Sequence, residues 1–367
     1  MNAPLVDLVS QYQELREELD AAVLGVLSSG MYTPANEVKS LEHEIAMLCR
    51  TEYAIACNSG TDALKIALQA MGIKDGDEVI TTPFTFVATI EAIIQNGGRP
   101  VFVDIDPQSF NMNPYLLEAA ITDKTKAIIP IHLFGQIAEM EKIMAIANAR
   151  GIMVLEDAAQ SIGSTRKGEC SGHWGIAATL SFFPTKNLGA AGDAGMVITN
   201  DKTIAEKCMS LRVHGMAKTP YLYEDIGHTS RLDEIQGAIL RVKLRKLKEW
   251  NDRRRTFAAI YDAILEDSDA QSPYVDAETS YHPYHQYTIR HKRRDDLMAH
   301  LKEQGVGCAI YYPVTLHVQP PYGYLGYKEG DFPATELACN EVLSLPIQAH
   351  LTTEQVEYAA KCVADFR

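Results

Sequence analysis

The chain has 367 residues, of which 46% are hydrophobic and 22% charged, and its formal net charge is −14. That composition suits a globular protein with room for two cores. The acidic balance argues against a general binder of nucleic acid or acidic membranes, which needs clustered Lys and Arg. No stretch approaches the roughly 18 apolar residues of a membrane helix. The N-terminus lacks the basic start and apolar run of a secretory signal, so the cytoplasm is the expected location. Seven cysteines lie scattered at 49, 57, 170, 208, 308, 339 and 362 with no CxxC. Neither a disulfide framework nor a metal cluster is expected from that pattern.

Residues 12–49 read as a helix, a loop around Gly30–Pro34, and a second helix. From about residue 53, short Val-, Ile- and Phe-rich runs alternate with helical stretches. The runs are 53–57, 78–81, 100–105, 127–132, 153–156, 179–183 and 195–199. Strands alternating with helices predict an α/β domain: a large, mixed, mostly parallel sheet flanked by helices. Residues 232–266 read as one long helix or two, with Ile235, Ile239 and Val242 at helical spacing. The basic clusters of this region, 241–248 and 253–255, interleave with leucines and read as a solvated helix face. After a polar stretch comes a smaller α+β portion. It has a strand at 286–290, a helix at 294–304 closed by Gly305, and a last helix near Thr352 with Gln355 as its capping-box partner. The expected domains are therefore 1–245, with the N-terminal helices, and 246–367.

Four segments carry candidate chemistry. Cys57-Asn58-Ser59-Gly60-Thr61-Asp62 ends a strand and opens a helix, with Ser59 and Asp62 spaced as a capping box. A Gly at a helix start lets backbone N–H groups approach a phosphate, although an ordinary capped helix reads the same way. The segment is neither a P-loop nor a GxGxxG fold. Asp157 closes a buried strand, where open α/β sheets bind ligands. It is either the N-cap of a following helix or an anion that keeps a pyridine nitrogen protonated. Lys186 follows a strand and a Pro break and precedes the glycine-rich Gly189–Gly195. A desolvated lysine there has a lowered pKa and attacks carbonyls. Of Phe84 and Phe86, one could stack on a flat ring, or both belong to the core.

Taken together, NSGTDAL, DEVITTPFTFVAT, PVFVDID, KAIIPIHLFGQ, LEDAAQSIG, SFFPTKNLGAAGDAG, RLDEIQGAIL and YYPVTLHVQP with LSLPI resemble the DegT/DnrJ/EryC1/StrS sugar aminotransferases over essentially the whole chain. The resemblance implies the aspartate-aminotransferase-like fold type I and pyridoxal 5'-phosphate held as a Schiff base on Lys186. It implies Gly60, Thr61 and Ser181 on the cofactor phosphate and Phe86 stacked on the ring. Asp157 would sit at the ring nitrogen and Gln160 near the ring hydroxyl. It further implies a homodimer with shared sites, in which Arg231 reaches the partner's substrate. Tyr311, Tyr312 and His317 are candidate grips for a diphosphate or carboxylate.

Three positions depart from the family pattern. Thr229 stands where relatives carry an Asn that contacts the phosphate across the dimer. Tyr311 stands where many carry His, and Ala35-Asn36-Glu37-Val38 replaces GPEV. The implied reaction is ping-pong transfer of an amino group from L-glutamate to a nucleotide-linked keto-sugar. SFFPTKNLGA resembles the members that aminate C3, with UDP-linked 3-oxo-N-acetylglucosaminuronate or dTDP-3-oxo-6-deoxyhexose as acceptor. A 4-oxo-sugar or a keto-cyclitol is the alternative within the family. Sugar dehydratases of this fold carry His in place of the lysine, so Lys186 favours amination. A non-enzymatic pyridoxal-phosphate-binding regulator is expected to lose Lys186, Asp157 or the phosphate cup. A desulfurase would need a mobile catalytic Cys.

Overall fold

The computed structural model describes all 367 residues. Seven strands build the main sheet: β1 (Tyr53–Cys57), β2 (Glu78–Thr81), β3 (Arg99–Phe102), β4 (Thr125–Ile128), β5 (Met153–Asp157), β6 (Ala177–Ser181) and β7 (Gly195–Thr199). Their order is β1-β7-β6-β5-β4-β2-β3. Only β7 runs antiparallel to its neighbours; β2, β3, β4, β5 and β6 pair in parallel. All strands except β7 therefore deliver their carboxyl ends to one edge, which is where open α/β sheets bind ligands.

Both faces of the sheet are buried, which is why its strands read as continuous apolar runs. One face packs Ile55, Leu64, Leu68, Ala127 and Leu155 with the helices Gly60–Ala70, Ala88–Gln95 and Lys202–Leu211. The other packs Ala54, Leu180, Met196 and Ile198 against Leu41, Ile45 and Leu240. A separate core holds Tyr261, Tyr287, Leu297, Leu343, Leu345 and Val356. It surrounds an antiparallel pair, Tyr287–Arg290 with Val342–Leu345. Ala3 joins this second core and bridges Val306, so the N-terminus straps onto the C-terminal portion.

The N-terminal region holds three helices, Leu8–Glu14, Arg16–Ser29 and Asn36–Cys49, rather than the two expected. Gly30, at φ +67°, ends the second, as a left-handed helix terminus requires. The ambiguous stretch after 232 is two helices, Glu234–Leu244 and Leu247–Leu265, broken at Arg245-Lys246. Thr352 and Gln355 form the expected reciprocal capping box. At Ser59 only half the box forms: its hydroxyl accepts from the Asp62 N–H at 3.1 Å. All seven cysteines are free thiols. No helix is long and apolar enough to cross a membrane.

Candidate active site

The residues that follow β1, β2, β5 and β6 meet at the carboxyl edge of the sheet, where Gly60 abuts Ser181, Thr89 bonds Asp157, and Phe86 and Gln160 both meet Tyr312. β1 leads into Ser59, which is extended at φ −162° and caps the helix Gly60–Ala70. The N–H groups of Gly60 and Thr61 open that helix and have no partner within it. A Cβ on Gly60 would lie 2.7 Å from the Ser181 Cβ, and one on Gly195 would lie 2.2 Å from the Ser59 carbonyl carbon. The cup therefore touches the end of β6 only because residue 60 lacks a side chain. Ser181 is partly exposed beside it.

Asp157 ends β5 at 6% exposure. Thr89 Oγ1 donates to its Oδ2 at 2.9 Å and the Ala159 N–H to its Oδ1 at 3.2 Å. No cation forms an ion pair with it. Burial pushes its pKa above the usual carboxylate range, while Thr89, Ala159, Lys186 and His132 pull it down. The capping alternative falls here, because a turn rather than a helix follows β5. The adjacent Glu156 faces away. Its carboxylate meets His132 Nε2 at 2.8 Å and accepts from the N–H groups of Gly172, Trp174 and Gly175 at 2.7–2.8 Å.

Lys186 sits in a turn after β6, its N–H bonded to the Phe183 carbonyl at 2.8 Å. Desolvation lowers its amine pKa to about 8, against the opposing pull of Asp157. The turn is tied on all sides. Asn187 donates to Asn251 Oδ1 at 2.8 Å and to the Pro283 carbonyl at 3.0 Å. Its Oδ1 meets His285 Nδ1 at 3.1 Å. Lys243 Nζ donates to the Gly189 carbonyl at 2.7 Å, and Gln236 accepts from the Ala191 N–H at 2.8 Å.

The two phenylalanines divide. Phe84 is fully buried in the core, whereas Phe86 is 57% exposed and presents an open ring. Tyr312 packs 6.5 Å from Phe86, and its hydroxyl accepts from Gln160 Nε2 at 3.3 Å. Gln160 Oε1 accepts from the Phe134 N–H at 2.7 Å. Tyr311 lines the same narrow cleft as Lys186.

Three other candidates lie elsewhere. Thr229 is exposed and its hydroxyl bonds His214 Nε2 at 2.8 Å, so it does not reach the cup of its own chain. The partly exposed Arg231 pairs with no carboxylate of its own chain. His317 is fully buried, bonded to Thr315 Oγ1 at 2.7 Å, 3.2 Å from Glu336, and packed on Phe332. A side chain enclosed in this way braces the segment around it and offers no ring nitrogen to a substrate in the cleft.

The site fits a flat anionic cofactor. It has a helix N-terminus for a phosphate, an open aromatic face, a buried carboxylate without a cation, and a lysine with a depressed pKa. A family model described as "DegT/DnrJ/EryC1/StrS aminotransferase family" matches residues 13–364. The chain belongs to this family. Pyridoxal phosphate is its cofactor. Among relatives of this family member, the "Pleiotropic regulatory protein" of Geobacillus stearothermophilus is 50% identical over 368 residues, covering 100% of this chain and 99% of its own. The "UDP-N-acetyl-3-dehydro-alpha-D-glucosamine 3-aminotranferase" of Acidithiobacillus ferrooxidans is 42% identical over 361 residues, covering 98% and 96%. The crystal structure of Streptomyces venezuelae DesV "in complex with ketimine intermediate" superimposes with a TM-score of 0.96 at 39% identity, covering 99% of this chain and 98% of that one.

Sequence reasoning missed Thr89, Asn187, Lys243, Arg254 and His285. Two of them contradict the solvated-face reading of the basic clusters, since Lys243 and Arg254 are 7% and 8% exposed. Helical spacing carried the signal. Trp250, Arg254, Phe257 and Tyr261 fall at i, i+4, i+7 and i+11, and Lys243 stands four residues after Ile239, so both basic residues lie on buried stripes. Of the remaining basic residues, Arg241, Arg245, Lys246, Lys248 and Arg253 pair with carboxylates, as Lys248 does with Asp252 and Arg253 with Glu249, while Arg255 lies over the Tyr281 ring.

Proposed function

We propose that this aminotransferase moves an amino group from L-glutamate to the C3 keto group of a nucleoside-diphosphate-linked sugar, working as a homodimer. The observation that carries the reading is the pairing of a lysine amine depressed to about 8 with a buried, cation-free carboxylate. It occurs in a chain 42% identical along its length to a sugar 3-aminotransferase. A UDP-linked 3-oxo sugar is the first acceptor to test and a dTDP-linked one the second.

Pyridoxal phosphate supplies the electron sink that lets a C–H bond beside nitrogen ionise. The chain's own groups do the rest. The Gly60 and Thr61 N–H groups and the Ser181 hydroxyl hold the phosphate. Phe86 covers the ring, Gln160 faces its oxygen, and Asp157 holds a proton on the ring nitrogen. Lys186 binds the cofactor between turnovers. During turnover its amine takes the proton from the donor carbon and delivers one to the acceptor carbon, and a pKa near neutrality suits both directions. Glutamate leaves as 2-oxoglutarate before the keto-sugar reacts, which is ping-pong chemistry.

One feature supports a shared site. Thr229 closes the segment 213–230 through its bridge to Val213, Arg231 follows directly, and the segment exposes Tyr221, Leu222, Tyr223 and Ile226. Such a patch is unusual on a monomer's surface. The proposed lobe boundary at 245/246 falls at the break between the two long helices.

The regulatory name of the 50% identical relative favours one second reading, a cofactor-binding regulator. The retained Lys186, Asp157 and cup favour the enzyme. Incubating the yellow holoenzyme with L-glutamate and enzymatically generated UDP-3-oxo sugar decides between them. The expected products are 2-oxoglutarate and a sugar bearing the amine at C3 by NMR. A holoenzyme that releases no 2-keto acid from L-glutamate or from any other amino acid would establish the regulator instead.

A further inference from the structure

The cleft beside Lys186 has an electrostatic imbalance. Seventeen residues line it, among them the cations Lys186 and Arg254, and none is Asp or Glu. This occurs in a chain of net charge −14. Arg254 is 8% exposed and forms no ion pair. Its Nη1 donates to the carbonyls of Tyr284 and His285 at 3.1 and 3.3 Å, and its remaining N–H groups have no protein acceptor. Burial lowers its pKa to about 10, as expected for a cation without a counter-charge. Gln348 lines the same cleft at 7% exposure, and its buried Nε2 has no hydrogen-bond partner. A nearby acid, Glu14, lies outside the lining and is engaged by Arg253 and His350 at 3.4 and 3.3 Å.

An unpaired buried guanidinium and an orphaned buried amide are both costly, and proteins pair such groups or leave them for a ligand. The enclosed space is about 30 Å³. That holds about two water-sized groups, enough for the two oxygens of a carboxylate and too little for a sugar ring. We infer that Arg254 and Gln348 form a subsite for a carboxylate of the amino donor, which they seat beside Lys186. The same subsite holds the carboxylate of the keto acid that leaves. Arg254 supplies the charge and Gln348 one oriented N–H, so the pair selects small acids over neutral amines. The inference rests on the proposed amino-acid donor.

The test uses the holoenzyme without any sugar. The rate at which L-glutamate discharges the yellow band is followed against its concentration, and glutarate, a dicarboxylate without an amine, serves as a competitor. Gln348→Leu and Arg254→Lys should raise the half-saturating glutamate concentration and weaken glutarate inhibition in parallel, each by about tenfold or more. The cofactor band and the limiting rate should be retained. If Arg254→Lys does not fold, because its Nη1 also holds two carbonyls, Gln348→Leu decides alone. A folded Gln348→Leu protein with unchanged glutamate dependence and glutarate affinity overturns the subsite and leaves the aminotransferase reading intact. If the wild-type holoenzyme ignores L-glutamate, the donor is wrong. Calorimetric glutarate binding to wild type and to Gln348→Leu then still decides the subsite.

Discussion

Thr89 Oγ1 donates to Asp157 Oδ2 at 2.9 Å inside the protein, where both side chains are almost free of solvent. Burial alone would favour the neutral acid. The hydroxyl is the largest influence holding the carboxylate in its charged form, and the charged form is what keeps a ring nitrogen protonated. Thr85 Oγ1 stands 3.5 Å behind Thr89, so the donor is itself in a hydrogen-bonded row. Thr89→Val keeps the shape and removes the donor. Loss of a charge-assisted bond of about 1.5–3 kcal/mol predicts that kcat falls by about 10- to 100-fold with substrate KM little changed. Thr89→Ser should restore most of the rate. An unimpaired Thr89→Val enzyme would show that Asp157 needs no help.

Lys186, with its amine near 8, should take up pyridoxal phosphate with a rate that rises with pH and levels off above that value. Only the neutral amine attacks a carbonyl, so the sign is fixed: below pH 8 the protonated fraction grows and the rate falls tenfold per pH unit. An ordinary surface lysine would still be accelerating at pH 10. Apo-enzyme reconstitution followed by absorbance checks this, and Lys186→Ala should give no borohydride-fixed cofactor.

Arg231 is proposed to serve the partner's site while Lys186 serves its own. Lys186→Ala and Arg231→Ala chains, each inactive alone, should regain activity when unfolded together and refolded as mixed dimers, because some dimers then carry one intact site. If the mixture stays as inactive as its parents, the two residues belong to one chain's site.

At Gly60 the space for a Cβ is already filled by Ser181. Gly60→Ala must push the cup away from β6, and cofactor affinity should drop by about tenfold or more, read as the dissociation constant of pyridoxal phosphate. His317→Ala should behave in the opposite manner. It should lower the melting temperature, through loss of about 1–3 kcal/mol of buried hydrogen bonding, with KM for the sugar unchanged.

Acid should destabilise the fold ahead of ordinary carboxylate titration. Burial lowers the His282 pKa to about 3 and the His285 pKa well below 6.5. Unfolded, each binds a proton near 6.5, so the unfolded state holds more protons through the window from 6.5 to about 3, and stability falls as pH falls. Asp157 and Asp262, both raised by burial, oppose this. Thermal melts across that window should slope downward toward acid, and His285→Gln should flatten the slope.

Alternation of strand and helix, the end of β5 at Asp157 and the capped start at Ser59 were all legible from local pattern, because chain direction, strand period and capping chemistry act over a few residues. The family resemblance could also be seen in motif order. What residue order could not decide was which side chains lose water. Arg254 and Lys243 read as surface charges until the packing of the helices Glu234–Leu244 and Leu247–Leu265 turned them inward. His317 read as a substrate contact until Thr315, Phe332 and Glu336 closed around it. Phe84 and Phe86, two residues apart on one segment, were indistinguishable until the chain after β2 placed one in the core and left the other exposed beside Tyr312. The sequence determined the scaffold and its reactive groups. Only the tertiary structure, by setting burial and therefore the free energy of each charge, decided which groups are poised to react and which merely hold the fold.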